Sequence, residues 1–404
     1  MPTQPSEVPF LLSLVILPAM LASIFCSMYL LSRFIPQLVG DGHDKTKWLD
    51  GLRGAAAALV ALTHAPLVII NLHLTPQVFY FSQSALSLFK FFGIIGVQIF
   101  FCITGALFTN KVLLASDVDW TSYFRKRLLR LTPAYVAAAT LALVVAALHM
   151  RFNTLKVGDA LSELPNIFTF GLTPLPTIDG FDFGRLLGVN WSLAYEWRYY
   201  VILPFVFLMI QRFRVLPCAL VIIAFAIGDL YLTGNSSWVY FVSGAISAPL
   251  MYREVSGENK FYGFVLTMAV VIVYIFSWSR FPAFGLERWV LMTLLFMSIT
   301  ISKPNILTLR PFVAMGTVSY SFYLLHAMTV FIVFKACHKF VRDVTLLSFW
   351  SFTILVCLAL AAAASLATIS YLKVERPFMR LSDNGRATSQ QGKNQAQPTE
   401  ASSI

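Results

Sequence analysis

The chain has 404 residues, 58% of them hydrophobic and only 12% charged, with a net charge of +11. A soluble domain carries about 25% charged residues, so this chain lacks the polar surface that water demands. The composition therefore excludes a soluble globular protein and implies an all-α polytopic membrane protein.

The 36 Phe and 8 Trp suit lipid-facing and interfacial positions. The positive charge does not indicate nucleic acid, because Lys and Arg fall mainly in short stretches between apolar runs, where they encode topology. The five cysteines (Cys26, Cys102, Cys218, Cys337, Cys357) lie in or beside apolar segments. They have neither zinc-ligand spacing nor a visible disulfide framework, so no metal site is expected.

A spanning helix needs about 20 mostly apolar residues. The first run, about residues 8–32, has no basic residue before it; Arg33 follows it. A cleaved signal peptide has the reverse charge order, so the run reads as a true helix with its N-terminus outside. Further spans fall at roughly 51–71, 91–109, 131–149, 191–210, 214–233, 237–252, 262–278, 286–302, 312–334 and 346–372. If the 33–50 segment is cytoplasmic, the inner loops and tail hold about 19 of the 30 basic residues and the outer loops about nine. The C-terminus is then inside. The longest outer connection, 150–190, carries Asp159, Glu163, Asp179, Asp182 and Arg185 and has the length of a functional loop. The tail from about 381 is polar and reads as disordered.

Ionisable residues inside spans are costly and mark candidate sites. In "LDGLRGAAAALVALTHA" (49–65), Arg53 and His64 are eleven residues apart. That is a rise of about 16.5 Å and about 20° from three full turns, so both lie on one helical face. Arg53 then sits at the inner rim and His64 at mid-depth, with small residues between them that admit a thin ligand. An interfacial Arg anchor with a structural His is the alternative. In "NWSLAYEWRYYVILPF" (190–205), Ser192, Glu196 and Tyr199 share a face, with Tyr200 beside them. Glu196 can orient an imidazole or hold a sugar hydroxyl, or merely pair with Arg198. In "GTVSYSFYLLHAMTVF" (316–331), Ser319, Tyr323 and His326 form a polar stripe that should face the bundle interior. In "FRKRLLRLTP" (124–133), which precedes the next span, Arg127 and Arg130 lie one turn apart. Paired arginines grip phosphates, although a cytoplasmic anchor would carry them too. From the residues alone, a proton-coupled transporter of a small solute or sugar stays open, since intramembrane His and Glu also build proton relays. No internal repeat favours it.

Taken in order, these segments resemble the acyltransferase-3 family of integral membrane O-acyltransferases. "GVQIFFCITGALFT" resembles that family's "GVD-FF-SG" segment, "RKRLLRLTPAY" its paired-arginine segment and "SYSFYLLH" its late Ser-Tyr-to-His helix. The matches run from about Trp48 to Arg380. The resemblance implies a ten-helix membrane domain over 48–380. Residues 1–47 would then be an extension with an extra helix, and 381–404 a cytoplasmic tail with no esterase-like domain following. It also implies transfer of an acyl group, usually acetyl, from cytoplasmic acyl-CoA to a hydroxyl of a surface or exported glycan. Acyl-CoA (acetyl-CoA) acts as co-substrate, and no cofactor is bound permanently. His64 matches the family's essential histidine, Arg53 its essential arginine, and Arg127 and Arg130 its pair. Glu196 is then expected to assist catalysis, and Ser192, Tyr199 and His326 to bind substrate. A bacterial inner membrane is the expected location, with the bilayer, acyl-CoA and a glycan or glycolipid as partners. Gln98 and Thr104 depart from the family's usual Asp and Ser.

Overall fold

The computed structural model describes residues 5–39, 46–114, 117–149 and 157–381. The expected tail beyond 381 lies outside the described residues.

Sixteen α-helices make up the described chain: α1 Phe10–Ser13, α2 Ile16–Phe34, α3 Lys47–His64, α4 Val68–Asn71, α5 Gln83–Leu114, α6 Trp120–Ala147, α7 Val157–Ile167, α8 Gly184–Leu187, α9 Trp191–Phe213, α10 Val215–Thr233, α11 Val239–Ser247, α12 Gly257–Phe276, α13 Leu286–Ser302, α14 Arg310–Thr317, α15 Ser319–Phe340 and α16 Phe349–Ser370. Two small strand pairs accompany them: β1 (Ser6–Val8) runs parallel to β2 (Phe79–Phe81), and β3 (Thr177–Ile178) antiparallel to β4 (Phe181–Asp182). Eight of the helical segments are long and apolar enough to cross a membrane. The protein is thus an all-α, multi-pass membrane protein.

The expected spans appear as helices, with four differences. The run at 51–71 breaks, because Pro66 follows the last residues of α3 and disfavours helix just before it. The run at 312–334 divides at Val318, which leaves helical geometry between α14 and α15. The basic run at 124–133 does not precede its helix but lies inside α6. Asp119 caps that helix by accepting the Ser122 amide at 3.0 Å, which starts it well before the apolar residues do. The run at 346–372 continues through a π-helical turn, Tyr371–Glu375, as far as Leu381.

α3 lies at the centre, packed against α5, α14 and α15. Its glycines let neighbouring backbones approach. A Cβ at Gly51 would sit 1.7 Å from the Leu307 carbonyl oxygen, and one at Gly316 of α14 only 1.9 Å from that of Asp50. Neither carbonyl can move without shifting a helix, so Gly316→Ala should force α14 off α3. Overpacking of this kind costs about 1–3 kcal/mol or more. A lowered unfolding midpoint in detergent would register it.

α2 lies at the periphery. It packs on α14 and α16 through Ile16, Met20, Ile24 and Met28, all fully buried. Ser23 donates to the Cys357 carbonyl at 2.6 Å, and Arg310 Nε to Ser32 Oγ at 3.0 Å. The outward faces of α9, α10 and α12 expose Phe205, Leu208, Leu220, Phe225, Ile272 and Phe276. An apolar belt of that extent is a surface for lipid rather than for water.

The expected long loop at 150–190 is largely structured from residue 157 onward. It contains α7, the β3–β4 hairpin and α8, and buries Phe183, Leu186 and Leu187 completely. Asp179 and Gly180 turn the hairpin with φ of +49° and +74°.

Candidate active site

A cavity of about 230 Å³ opens among α3, α5, α6, α9 and α15. Three arginines line it: Arg53 from α3, and Arg127 and Arg130 from α6. The helical run of α6 is what aims Arg127 and Arg130 into one space, one turn apart. Arg127 is held by aromatic faces. Its Cζ lies 4.9 Å from the Phe108 ring centroid and 6.0 Å from that of Tyr200. Its Nε is buried without an acceptor among the described residues. Arg53 pairs with Asp50 at 3.1 Å, one turn back on α3. Among the described residues, Glu196 is the one carboxylate lining the cavity beside the three arginines, so that lining is net cationic.

α9 contributes Ser192, Glu196 and Tyr200 to the lining. The Tyr200 hydroxyl donates to Glu196. The Arg198 partnership considered from sequence does not form, because Arg198 lies over the Tyr195 ring at 5.5 Å instead. Tyr199, expected to bind substrate, does not line the cavity. Its ring stacks on Phe241 at 4.4 Å, and its hydroxyl bonds the Gly105 carbonyl and Thr109. α11 takes that face of α9, and Tyr200 stands in the cavity in its place.

α15 supplies Ser319, Tyr320 and Tyr323. Tyr320 donates to the Leu131 carbonyl at 2.9 Å, which ties α15 to α6. The Tyr323 and Ser192 hydroxyls lie 2.7 Å apart, and Tyr323 donates to the Val189 carbonyl at 2.8 Å.

Beyond this pair stand the two histidines, neither of which lines the cavity. His326 is one turn past Tyr323, with ring centroids 6.3 Å apart. His64, the last residue of α3, meets His326 edge-on at 5.2 Å. His326 is fully buried; its Nδ1 bonds the Phe322 carbonyl at 3.0 Å, and its Nε2 has no partner among the described residues. The α3 end that carries His64 is pinned by Thr63, which donates to the Phe89 carbonyl at 2.8 Å. The site is therefore layered. Arginines and Glu196 lie at one end, Ser192 and Tyr323 in the middle, and His326 and His64 beyond them. Glu196, read from sequence as able to orient an imidazole or hold a sugar hydroxyl, lies at the arginine end, one turn along α9 from Ser192.

One ionisable residue in the last span escaped the sequence reading. Glu375 is 1% exposed and accepts from Ser321 at 3.0 Å. Arg130 and Arg53 are the charges that act on it, and the turn that holds it packs on α6. Single π turns often mark functional positions. The signal was a Glu just after the apolar run, in "YLKVERPF". Gln98, where the resemblance led one to look for Asp, is fully buried in a neutral network. It donates to Tyr240 at 3.0 Å and to the Ala283 carbonyl at 2.7 Å.

On the far side of the histidines a second hollow, of about 180 Å³, lies between the hairpin and α15. His149, Asp179, Arg185 and Lys335 line it, with Phe181 and Phe331.

Comparison with known proteins agrees with this architecture. The chain is 24% identical over 330 residues to "Putative peptidoglycan O-acetyltransferase YrhL" of Bacillus subtilis, covering 71% of this chain and 50% of that protein. It is 24% identical over 329 residues to "Peptidoglycan O-acetyltransferase OatA" of Listeria monocytogenes, covering 71% and 51%. The chain thus spans about half the length of the curated relatives it matches. No solved structure matches. The acyltransferase domain family matches residues 46–368, which takes in every cavity arginine and both histidines and leaves out α2. With most of its length inside that match, the chain belongs to the acyltransferase-3 family of membrane acyltransferases.

Proposed function

We propose that the protein is an O-acetyltransferase. On this reading it takes an acetyl group from acyl-CoA on the cytoplasmic side and delivers it to a hydroxyl of an exported glycan. The observation that carries this reading is the convergence of Arg53, Arg127 and Arg130 on one cavity whose far end approaches a pair of imidazoles. The relatives' names make peptidoglycan the first acceptor to test. On this reading the membrane is a bacterial inner membrane, which the bacterial sources of the relatives support, and the C-terminus is inside, which the distribution of basic residues supports.

The donor's phosphates bind the arginines, for which forked, charge-assisted hydrogen bonds are the natural contact. At about 230 Å³ the cavity is smaller than the roughly 300–1,000 Å³ of pockets that enclose drug-sized ligands. That size suits a slender arm, not the whole donor. The arm passes Ser192 and Tyr323 and brings the thioester toward the histidines. His64 takes the proton of the acceptor hydroxyl; the oxygen attacks the thioester carbonyl; the carbon–sulfur bond breaks; and the departing thiolate receives the proton from His64. His326, against His64 and bonded to a backbone carbonyl, orients the ring. The outer hollow with Arg185, Lys335, Asp179 and aromatic walls offers the acceptor sugar both polar and stacking contacts.

The test is to incubate membranes containing the protein with acetyl-labelled acetyl-CoA and peptidoglycan fragments or other glycans. Labelled ester on the glycan, with one CoA released per ester, is the expected result. Movement of an unmodified solute across vesicles without CoA release would replace this reading with a transporter.

A further inference from the structure

Arg288, in the first turn of α13, is 2% exposed. Its Nη2 donates to the carbonyls of Trp278 at 2.7 Å, Ser277 at 3.2 Å and Phe281 at 3.4 Å. Its Nε and Nη1 are buried with no acceptor among the described residues. Its Cζ lies 4.6 Å from the Phe91 ring centroid and 5.1 Å from that of Tyr274. Those faces attract a cation but accept no N–H bond in the plane of the guanidinium. The Tyr274 hydroxyl donates to Gln98 and keeps lone pairs to accept from the guanidinium, but it brings no negative charge. No carboxylate forms an ion pair with Arg288 among the described residues.

A guanidinium carries its charge wherever it sits in a protein. A buried, unpaired charge with unmet donors is among the costliest arrangements a fold can hold. Water in the space would satisfy donors but would leave the charge uncompensated.

There is such a space. A cavity of about 80 Å³ lies against Arg288, walled by Ser87, Phe91, Tyr274, Trp278 and Phe281. A water occupies about 30 Å³ of liquid, so the cavity admits a group of a few heavy atoms. Lys90, one turn from Ser87, Arg280, two residues from Trp278, and Glu287, next to Arg288, are exposed. The adjoining face of α12 exposes Ile272, Val273 and Phe276, an apolar surface for lipid chains. None of these residues lines the acyl-transfer cavity.

We infer that Arg288 and this cavity form a binding site for a phosphate oxoanion, carried by a phospholipid headgroup or free in solution. A phosphate brings several acceptor oxygens and a negative charge in one compact group, which meets both needs of Arg288. The site is independent of the acyl-transfer reading. Its occupant links α5, the end of α12 and the start of α13.

The experiment measures the unfolding midpoint of the delipidated, purified protein in detergent. One arm adds inorganic phosphate alone. A second adds phosphatidylglycerol, and a third adds diacylglycerol with the same chains but no phosphate. Wild type should be stabilised by phosphatidylglycerol and not by diacylglycerol. Stabilisation by inorganic phosphate as well would identify the free anion as sufficient, and its absence would identify the lipid as the source. Arg288→Gln should raise the apparent Kd by at least about tenfold. Should that variant fail to fold, Ser87→Leu narrows the cavity while keeping the charge, and it should weaken the response in the same way. The inference falls if neither phosphate-bearing probe stabilises wild type beyond diacylglycerol. It also falls if Arg288→Gln or Ser87→Leu responds as wild type does.

Discussion

His64→Ala should fold, reach the membrane and lose acetyl transfer by at least about 10²-fold, the scale of a missing general base. Folding should survive because His64 is the last residue of α3 and contributes no hydrogen bond among the described residues to the packing there. Thr63 keeps the helix end on α5 through the Phe89 carbonyl. The arginine cavity does not include His64, so donor affinity should change little while turnover collapses. The measurement is turnover with acetyl-CoA and a glycan acceptor, together with donor binding by the same purified variant. Wild-type turnover by a folded His64→Ala protein would remove the imidazole from the mechanism. His326→Gln is the instructive partner. If His326 only orients His64, its loss should lower turnover less than His64→Ala does and should shift the pH profile.

The second large effect is expected at the paired arginines. Arg127→Ala removes a cation held over Phe108 and Tyr200, in a cavity lined by three arginines and the carboxylate of Glu196. Truncating a buried charge that grips a ligand phosphate typically costs about 2–5 kcal/mol. The KM for acyl-CoA should therefore rise by about 30-fold or more, with a smaller change in kcat. Arg130→Ala should act in the same direction. Arg127→Lys keeps the charge but loses the planar fork and the ring contact, so it should recover only part of the affinity. An unchanged KM in Arg127→Ala would assign Arg127 to topology and packing alone.

Local periodicity made several parts of the site legible. Arg53 and His64 share a face because eleven residues nearly complete three helical turns, and both do face the interior. Arg127 and Arg130 are one turn apart and reach one cavity for the same reason. Spacing could not choose between Tyr199 and Tyr200. Both lie near the face of Glu196, and the choice fell to α11, whose Phe241 takes the Tyr199 ring. Nor could it place Glu196 by depth relative to His64, since the two are on helices far apart in sequence. Glu375 was missed because hydropathy ends the last span before it, whereas the structure carries the helix on through a π turn. The aromatic wall from Phe100, Phe101 and Phe108 reads as ordinary lipid-facing sequence until α5 is seen packed on α3 and α11.

By itself, the sequence determined that this protein spans a membrane as helices and which polar residues are too costly to be there without a partner; of the eleven crossings it suggested, eight helical segments are long and apolar enough among the described residues. Hydropathy and helical period are short-range quantities, and these conclusions need nothing more. Only the tertiary structure decided that three arginines from two helices meet around one carboxylate. It alone set Ser192 and Tyr323 between them and the histidines, and placed Arg288 buried against a small cavity with no ion-pair partner among the described residues. Those facts depend on which helix faces which, and that is settled by close backbone approach at glycines such as Gly51 and Gly316 and by the fit of whole side-chain faces. No one segment encodes them.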